Sequence, residues 1–177
     1  MRAALETRAD TAGQTAVAGI FRAIWRGSFP ALIAGPARSR DLFSKTPKLY
    51  FMDTGLAAYL TEWASPETLA VGAMAGAMFE TFVFVEILKS WWNRMRPPAL
   101  YYYRDKDGKE IDLLFVYDHT LHPVEVKLGA TARKDWVRHF SVLRSLGLRV
   151  GEGGVVCLCK ELLPLDQANS AIPAGLL

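Results

Sequence analysis

The sequence predicts an α/β protein built on one mixed sheet, with elements in the order α-β-β-β-α-β from residue 72 onward. Three observations carry this. The stretch 72–93 is apolar almost throughout and long enough for a helix. After Pro97-Pro98 the apolar period changes from helical to alternating, in three short runs separated by turn residues. An amphipathic segment over 131–146 then leads to the wholly apolar run Val155–Cys159, which suits a strand at the sheet centre.

Each element has a local cause. Val17, Ile20, Phe21 and Ile24 recur at helical spacing, which predicts a helix over 14–26 stopped by Gly27 and Pro30. Residues 27–47 read as a loop with a short helix near Ser39–Phe43. Lys48-Leu49-Tyr50-Phe51-Met52 reads as a short strand or extended segment, and Asp53 caps a helix running to about Leu60. Ser65-Pro66-Glu67 opens another helix: Ser as cap, Pro at the first position, acid in the first turn. The helix over 72–93 is apolar nearly all round, so both its sides should be covered.

Leu100–Arg104, Ile111–Tyr117 and Leu121–Leu128 are the predicted strands of a meander, with turns at Lys106–Lys109 and Asp118–Thr120. In the helix over 131–146, Trp136, Phe140 and Leu143 form the inner stripe, with Lys134 and Arg138 outside. Gly151–Gly154 reads as a turn and Ala171–Leu177 as a last short strand.

Composition narrows the class. Of 177 residues, 51% are apolar and 22% charged, which excludes a disordered chain. A formal charge of +3 permits an anionic partner without demanding one. The most apolar stretch, Val71–Leu88, carries Glu80 and Glu86, which a membrane-spanning helix would bear at high cost. The first ten residues lack the apolar core of a signal peptide. Cys157 and Cys159 sit too close for an ordinary disulfide and read as reduced core residues, so the expected location is cytoplasmic with no membrane partner. No G-x-x-x-x-G-K-[ST] is present, so no ATP site is expected in this chain.

The residues with chemistry are Asp112 in the second strand and Glu125-Val126-Lys127 in the third. Glu125 and Lys127 are two apart and share a face. A two-residue turn at His119-Thr120 pairs 112 with 127, and one at Asp118-His119 pairs 112 with 125. Either way all three share one face, paired Cβ atoms being about 5 Å apart; a three-residue turn breaks the arrangement. Two carboxylates supply hard oxygen ligands for Mg²⁺ or Mn²⁺. The metal would polarise a phosphoryl oxygen and help deprotonate a water, and Lys127 would orient that water or offset charge on phosphorus. The plain alternative is a solvated strand face. Glu80 shares a helical stripe with Gly76, Phe84, Ile87 and Trp91, against the sheet. A buried carboxylate needs a partner: a metal held with Asp112 and Glu125, or a salt bridge with Arg104 or Lys127. Glu86 points away and reads as structural.

A helix Glu, a strand Asp and Glu-x-Lys in the next strand resemble the PD-(D/E)XK nuclease superfamily. More closely, Lys48-Leu49-Tyr50-Phe51-Met52-Asp53-Thr54-Gly55-Leu56, Phe79-Glu80 with Glu86–Lys89, the run Tyr103–Asp112, and Pro123–Lys127 resemble the C-terminal domain of unknown function of prokaryotic AAA-type ATPases. The resemblance spans residues 45–177. It implies a restriction-endonuclease-like fold and a divalent-metal phosphodiesterase site with catalytic Asp112, Glu125 and Lys127 and metal ligands Glu80, Asp112 and Glu125. Ile111 stands where the family usually has Pro. Trp25–Pro30 and Arg40–Phe43 resemble the tail of the ATPase part, which makes residues 1–44 a helical remnant of that module. The partners implied are nucleic acid, DNA foremost, and an ATPase. Arg104, Lys134 and Arg138 are candidate phosphate contacts; an ordinary solvated face is the alternative. A catalytically inactive interaction domain on the same fold is the rival function.

Overall fold

The computed structural model describes residues 19–21, 48–105 and 107–177. The expected helix over 14–26 lies outside the described residues except for 19–21, which are helical. The short helix near Ser39–Phe43 also lies outside them. Ile20 and Phe21 are buried in the same apolar cluster as Ala57, Ala58 and Leu69. Part of the segment expected to be a remnant therefore contributes to the core.

Three helices follow. Helix α1, Thr54–Leu60, is capped by the Asp53 side chain, which accepts the Leu56 N–H at 2.9 Å. Helix α2, Pro66–Val71, starts with Ser65 and Thr68 bonding each other's backbone N–H groups in a capping box. Helix α3 runs Ala75–Trp92. Both its sides are covered as expected. Phe79, Val83 and Ile87 face the sheet cluster, while Val85 and Leu88 pack with Met52.

The sheet has six strands: β1 Leu100–Arg104, β2 Glu110–Tyr117, β3 Thr120–Lys127, β4 Gly153–Cys157, β5 Leu163–Pro164 and β6 Asn169–Pro173. Their spatial order is β1-β2-β3-β4-β6-β5. The first three form an antiparallel meander, β3, β4 and β6 run parallel, and β5 closes the far edge antiparallel. The mixed α/β class is as expected. Strand β4 is buried at every residue and lies between β3 and β6.

Of the two alternatives for residues 48–52 the strand is not formed; Lys48 and Tyr50 are tied down through their side chains. Three other local expectations are corrected. The segment 131–146 is not one α-helix but a 3-10 stretch, Lys134–Phe140, followed by a short helix α4, Ser141–Ser145. Its buried residues Val137, Phe140 and Leu143 recur every three positions, the 3-10 period. Gly153 and Gly154 lie inside β4 rather than in a turn, and at Gly153 the neighbours leave no room for a side chain. A Cβ on Gly153 would lie 2.9 Å from the Pro123 carbonyl oxygen. Finally, Ala174–Leu176 leaves β6 as a 3-10 turn, and β5 was not foreseen.

One irregularity in β2 positions the site. Tyr101 pairs with Leu114 and Tyr103 with Ile111, so two steps along β1 match three along β2. The extra residue is a bulge. It explains why Ile111 and Leu114, three apart, both pack with Val137, Phe140 and Leu143. Between them, Leu113 faces the α3 side with Val124 and Val126.

Candidate functional site

The site lies where β2 and β3 part. The turn between them is Asp118-His119, both residues with positive φ (46° and 54°), and Tyr117 pairs with Thr120. That is one of the two registers allowed by the sequence. Paired residues run back to Leu113 and Val124, and one further step sets Asp112 opposite Glu125. Asp112 falls within the bulge, and its side chain turns into the seam. Its Oδ2 accepts the Val126 N–H at 2.9 Å. A carboxylate thus satisfies a strand amide that the departing backbone of β2 leaves open.

The expected shared face holds for Glu125 and Lys127. Val124 and Val126 face α3. Glu125 and Lys127 alternate with them, so they project on the other face, with Val155 and Cys157 of the neighbouring strand. Glu110, alternating with Ile111, is on the α3 side. Asp112 in the seam is where the two sides meet.

On the α3 side the carboxylates gather around an ammonium. Lys48 Nζ lies 2.7 Å from Glu80 Oε1, 2.6 Å from Glu110 Oε1 and 3.2 Å from Asp112 Oδ1. The Tyr50 hydroxyl donates to Glu80 Oε1 at 2.9 Å, and its ring stacks on Phe84, one turn along α3, with centroids 4.1 Å apart. Glu80 is therefore salt-bridged, but to Lys48 rather than to Arg104 or Lys127. Arg104 faces Glu110 in the β1–β2 pairing, Nε to Oε2 3.8 Å. Glu86 pairs with Lys89 at 2.8 Å, the structural role expected.

On the other side, Lys127 Nζ meets Glu125 Oε1 at 2.6 Å. Glu125 is 6% exposed, and its Oε2 is buried with no hydrogen-bond partner among the described residues. Burial, and next the Asp112 charge, push the Glu125 carboxyl up to about 7 against the pull of Lys127 and the Asp112 backbone amide. Burial opposes the Lys48 charge, but Tyr50, Glu110, Glu80 and Asp112 outweigh it and hold the ammonium well above its usual pKa. Burial first, then Glu80, push the Tyr50 phenol well up, so it stays a donor.

Among the described residues, no group of three or more His, Cys, Asp and Glu side chains is placed to hold a metal ion. Lys134 and Arg138 are exposed on the 3-10 segment. Arg138 is paired with Asp135 at 2.8 Å. Sequence reasoning missed Lys48, Tyr50 and the inward role of Glu110. The signals were there: Lys48-x-Tyr50 and Glu110-x-Asp112 have the same two-residue spacing that singled out Glu125-x-Lys127. No described helix is long and apolar enough to cross a membrane.

A six-stranded mixed sheet with a carboxylate-lined seam defines an α/β protein with a charged site at a strand divergence. Residues 75–177 match the family described as Domain of unknown function (DUF4143), and the chain belongs to that family. No curated protein and no solved structure matches the chain.

Proposed function

We propose that this chain is a nuclease-like domain of PD-(D/E)XK type that holds Mg²⁺ or Mn²⁺ in the β2–β3 seam. It acts on or binds nucleic acid, DNA foremost, as the C-terminal part of an AAA-type ATPase. One observation carries the reading. Glu125 is buried beside a second carboxylate with one oxygen unpartnered. A buried anion left in that state is costly unless a cation completes it. The donor set suits the ion, since carboxylate oxygens are the ligands a hard divalent cation takes. The antiparallel meander followed by a parallel strand, with Glu80 on the preceding helix, agrees with the proposed fold.

In this reading Asp112 and Glu125 hold the ion, which would polarise a phosphoryl oxygen and acidify a water. Val126 N–H fixes the Asp112 carboxylate, so that ligand is set by the backbone and not by a free rotamer. Lys127, anchored on Glu125, places an ammonium where negative charge develops on phosphorus. Arg133 and Lys134 open the segment packed on the Glu125–Lys127 face and offer phosphate contacts beside it.

A second reading has its own support. Lys48 already neutralises much of the carboxylate cluster, and no three-ligand group is placed for a metal among the described residues. An inactive accessory domain would look like this. Labelled duplex, single-stranded and branched substrates in Mn²⁺ separate the two. Cleavage by the parent, lost in Asp112→Asn and in Lys127→Ala, supports the nuclease. No cleavage of any substrate supports the accessory domain.

A further inference from the structure

The Lys48 ammonium occupies a position with the surroundings of a bound cation. One oxygen from each of Glu80, Glu110 and Asp112 lies within 2.6–3.2 Å of Nζ. The three residues come from α3, from the start of β2 and from its bulge. The lysine is not a swinging surface chain. Two residues on, Tyr50 hydrogen-bonds Glu80 and stacks on Phe84, and two further on Met52 is buried against Val85 and Leu88. The segment is thus pinned to α3 at three successive alternate positions, and Lys48 is one of them. The other side of the seam is different. There Glu125, nine-tenths buried, keeps one oxygen unpartnered.

Charge agrees with position. Four carboxylates (Glu80, Glu110, Asp112, Glu125) meet two ammonium groups (Lys48, Lys127) in these contacts, a difference of two negative charges. Arg104, over half exposed and 3.8 Å from Glu110, reduces the difference to one. A divalent ion needs its oxygens at about 2.0–2.6 Å. It cannot share the Glu80–Glu110–Asp112 oxygens with an ammonium already in hydrogen-bond contact with them, because the two cations repel at that range.

We propose that Lys48 is a built-in cation that fills one of two cation positions in the seam. The site then takes a single divalent ion, on the Glu125 side of Asp112. Glu80 and Glu110 serve Lys48 rather than the ion. This rests on the divalent-cation reading above and specifies how many ions that site accepts and which residue sets the number.

The test counts Mn²⁺ bound by the full chain, by calorimetry and by the electron-spin signal of free Mn²⁺, in the parent, Lys48→Met and Lys48→Arg. One ion in the parent, two in Lys48→Met and one in Lys48→Arg is the expected result. Two ions in the parent, or one in both the parent and Lys48→Met, overturns the proposal while leaving the metal site standing. No ion in the parent but one in Lys48→Met also overturns it, Lys48 then blocking the only position. No ion in any of them overturns both the proposal and the divalent-cation reading. Should Lys48→Met fail to fold, Glu80→Gln decides. Mn²⁺ affinity kept within about threefold supports the assignment of Glu80 to Lys48, and a loss of about tenfold or more, or about 1.4 kcal/mol, overturns it.

Discussion

Asp112 Oδ2 accepts the Val126 N–H across the β2–β3 seam at 2.9 Å, while its Oδ1 accepts from Lys48 at 3.2 Å. One carboxylate therefore closes a gap in the sheet and touches the charge cluster. Glu125 alternates in β3 with Val124 and Val126, which face α3, so it lies on the side away from Glu80, and Asp112 in the bulge acts on both groups.

Glu80→Ala should lower the stability of the chain by about 1–3 kcal/mol with or without Mn²⁺, since it strips the partly buried Lys48 of one partner and Tyr50 of its acceptor. Chemical denaturation in Mn²⁺ and in chelator checks this. A loss seen only in Mn²⁺ would return Glu80 to the metal, as the sequence first suggested.

Lys127→Ala should abolish turnover yet leave Mn²⁺ affinity unchanged or higher. The ammonium repels a nearby ion but offsets charge on phosphorus. Cleavage rates and Mn²⁺ titration of the same preparation decide it. Parallel loss of both would make Lys127 an organiser of Glu125 only.

Glu125 sets a pH dependence in the metal-free chain. Its folded pKa of about 7 exceeds the ordinary 4.5. The stability it contributes is complete below pH 4.5 and is lost as pH rises through 7. Glu125→Gln removes that loss. In chelator the variant should match the parent near pH 4.5 and exceed it by up to about 3 kcal/mol at pH 8. Equal stabilities at both pH values would mean that Glu125 is not strained by its burial.

Gly153→Ala should cost about 1–3 kcal/mol by overpacking. The added Cβ would meet Asn169 Oδ1 at 2.5 Å, and the Pro123 carbonyl oxygen and Phe140 Cε2 at 2.9 Å each. Gly76→Ala, with open space around its Cβ, should change stability little. Thermal melts of the two variants make the comparison.

The meander, the capped helices and the buried fourth strand were legible because each has a local signal: a period, a cap or a continuous apolar run. Leu100–Arg104 was placed to the residue. The register was legible as a choice of two, decided by positive φ at Asp118 and His119. The bulge was not legible, because nothing in Ile111-Asp112-Leu113 marks an extra residue; only pairing with β1 shows it. The division of Glu80 from Glu125 follows from α3 packing on the Val124–Val126 face of β3, which no local signal in the sequence marks. The 3-10 segment was missed because positions 136, 140 and 143 also suit an α-helix, and Val137 was left out of the stripe.

The most direct measurement is Mn²⁺ calorimetry on the full chain beside Asp112→Asn, with folding of both confirmed by circular dichroism. A saturable heat in the parent, and affinity at least about tenfold weaker in Asp112→Asn, is the predicted result, since the substitution removes a ligand charge. No saturable heat in the parent, or equal affinity in the two, would contradict a divalent-cation site in the seam.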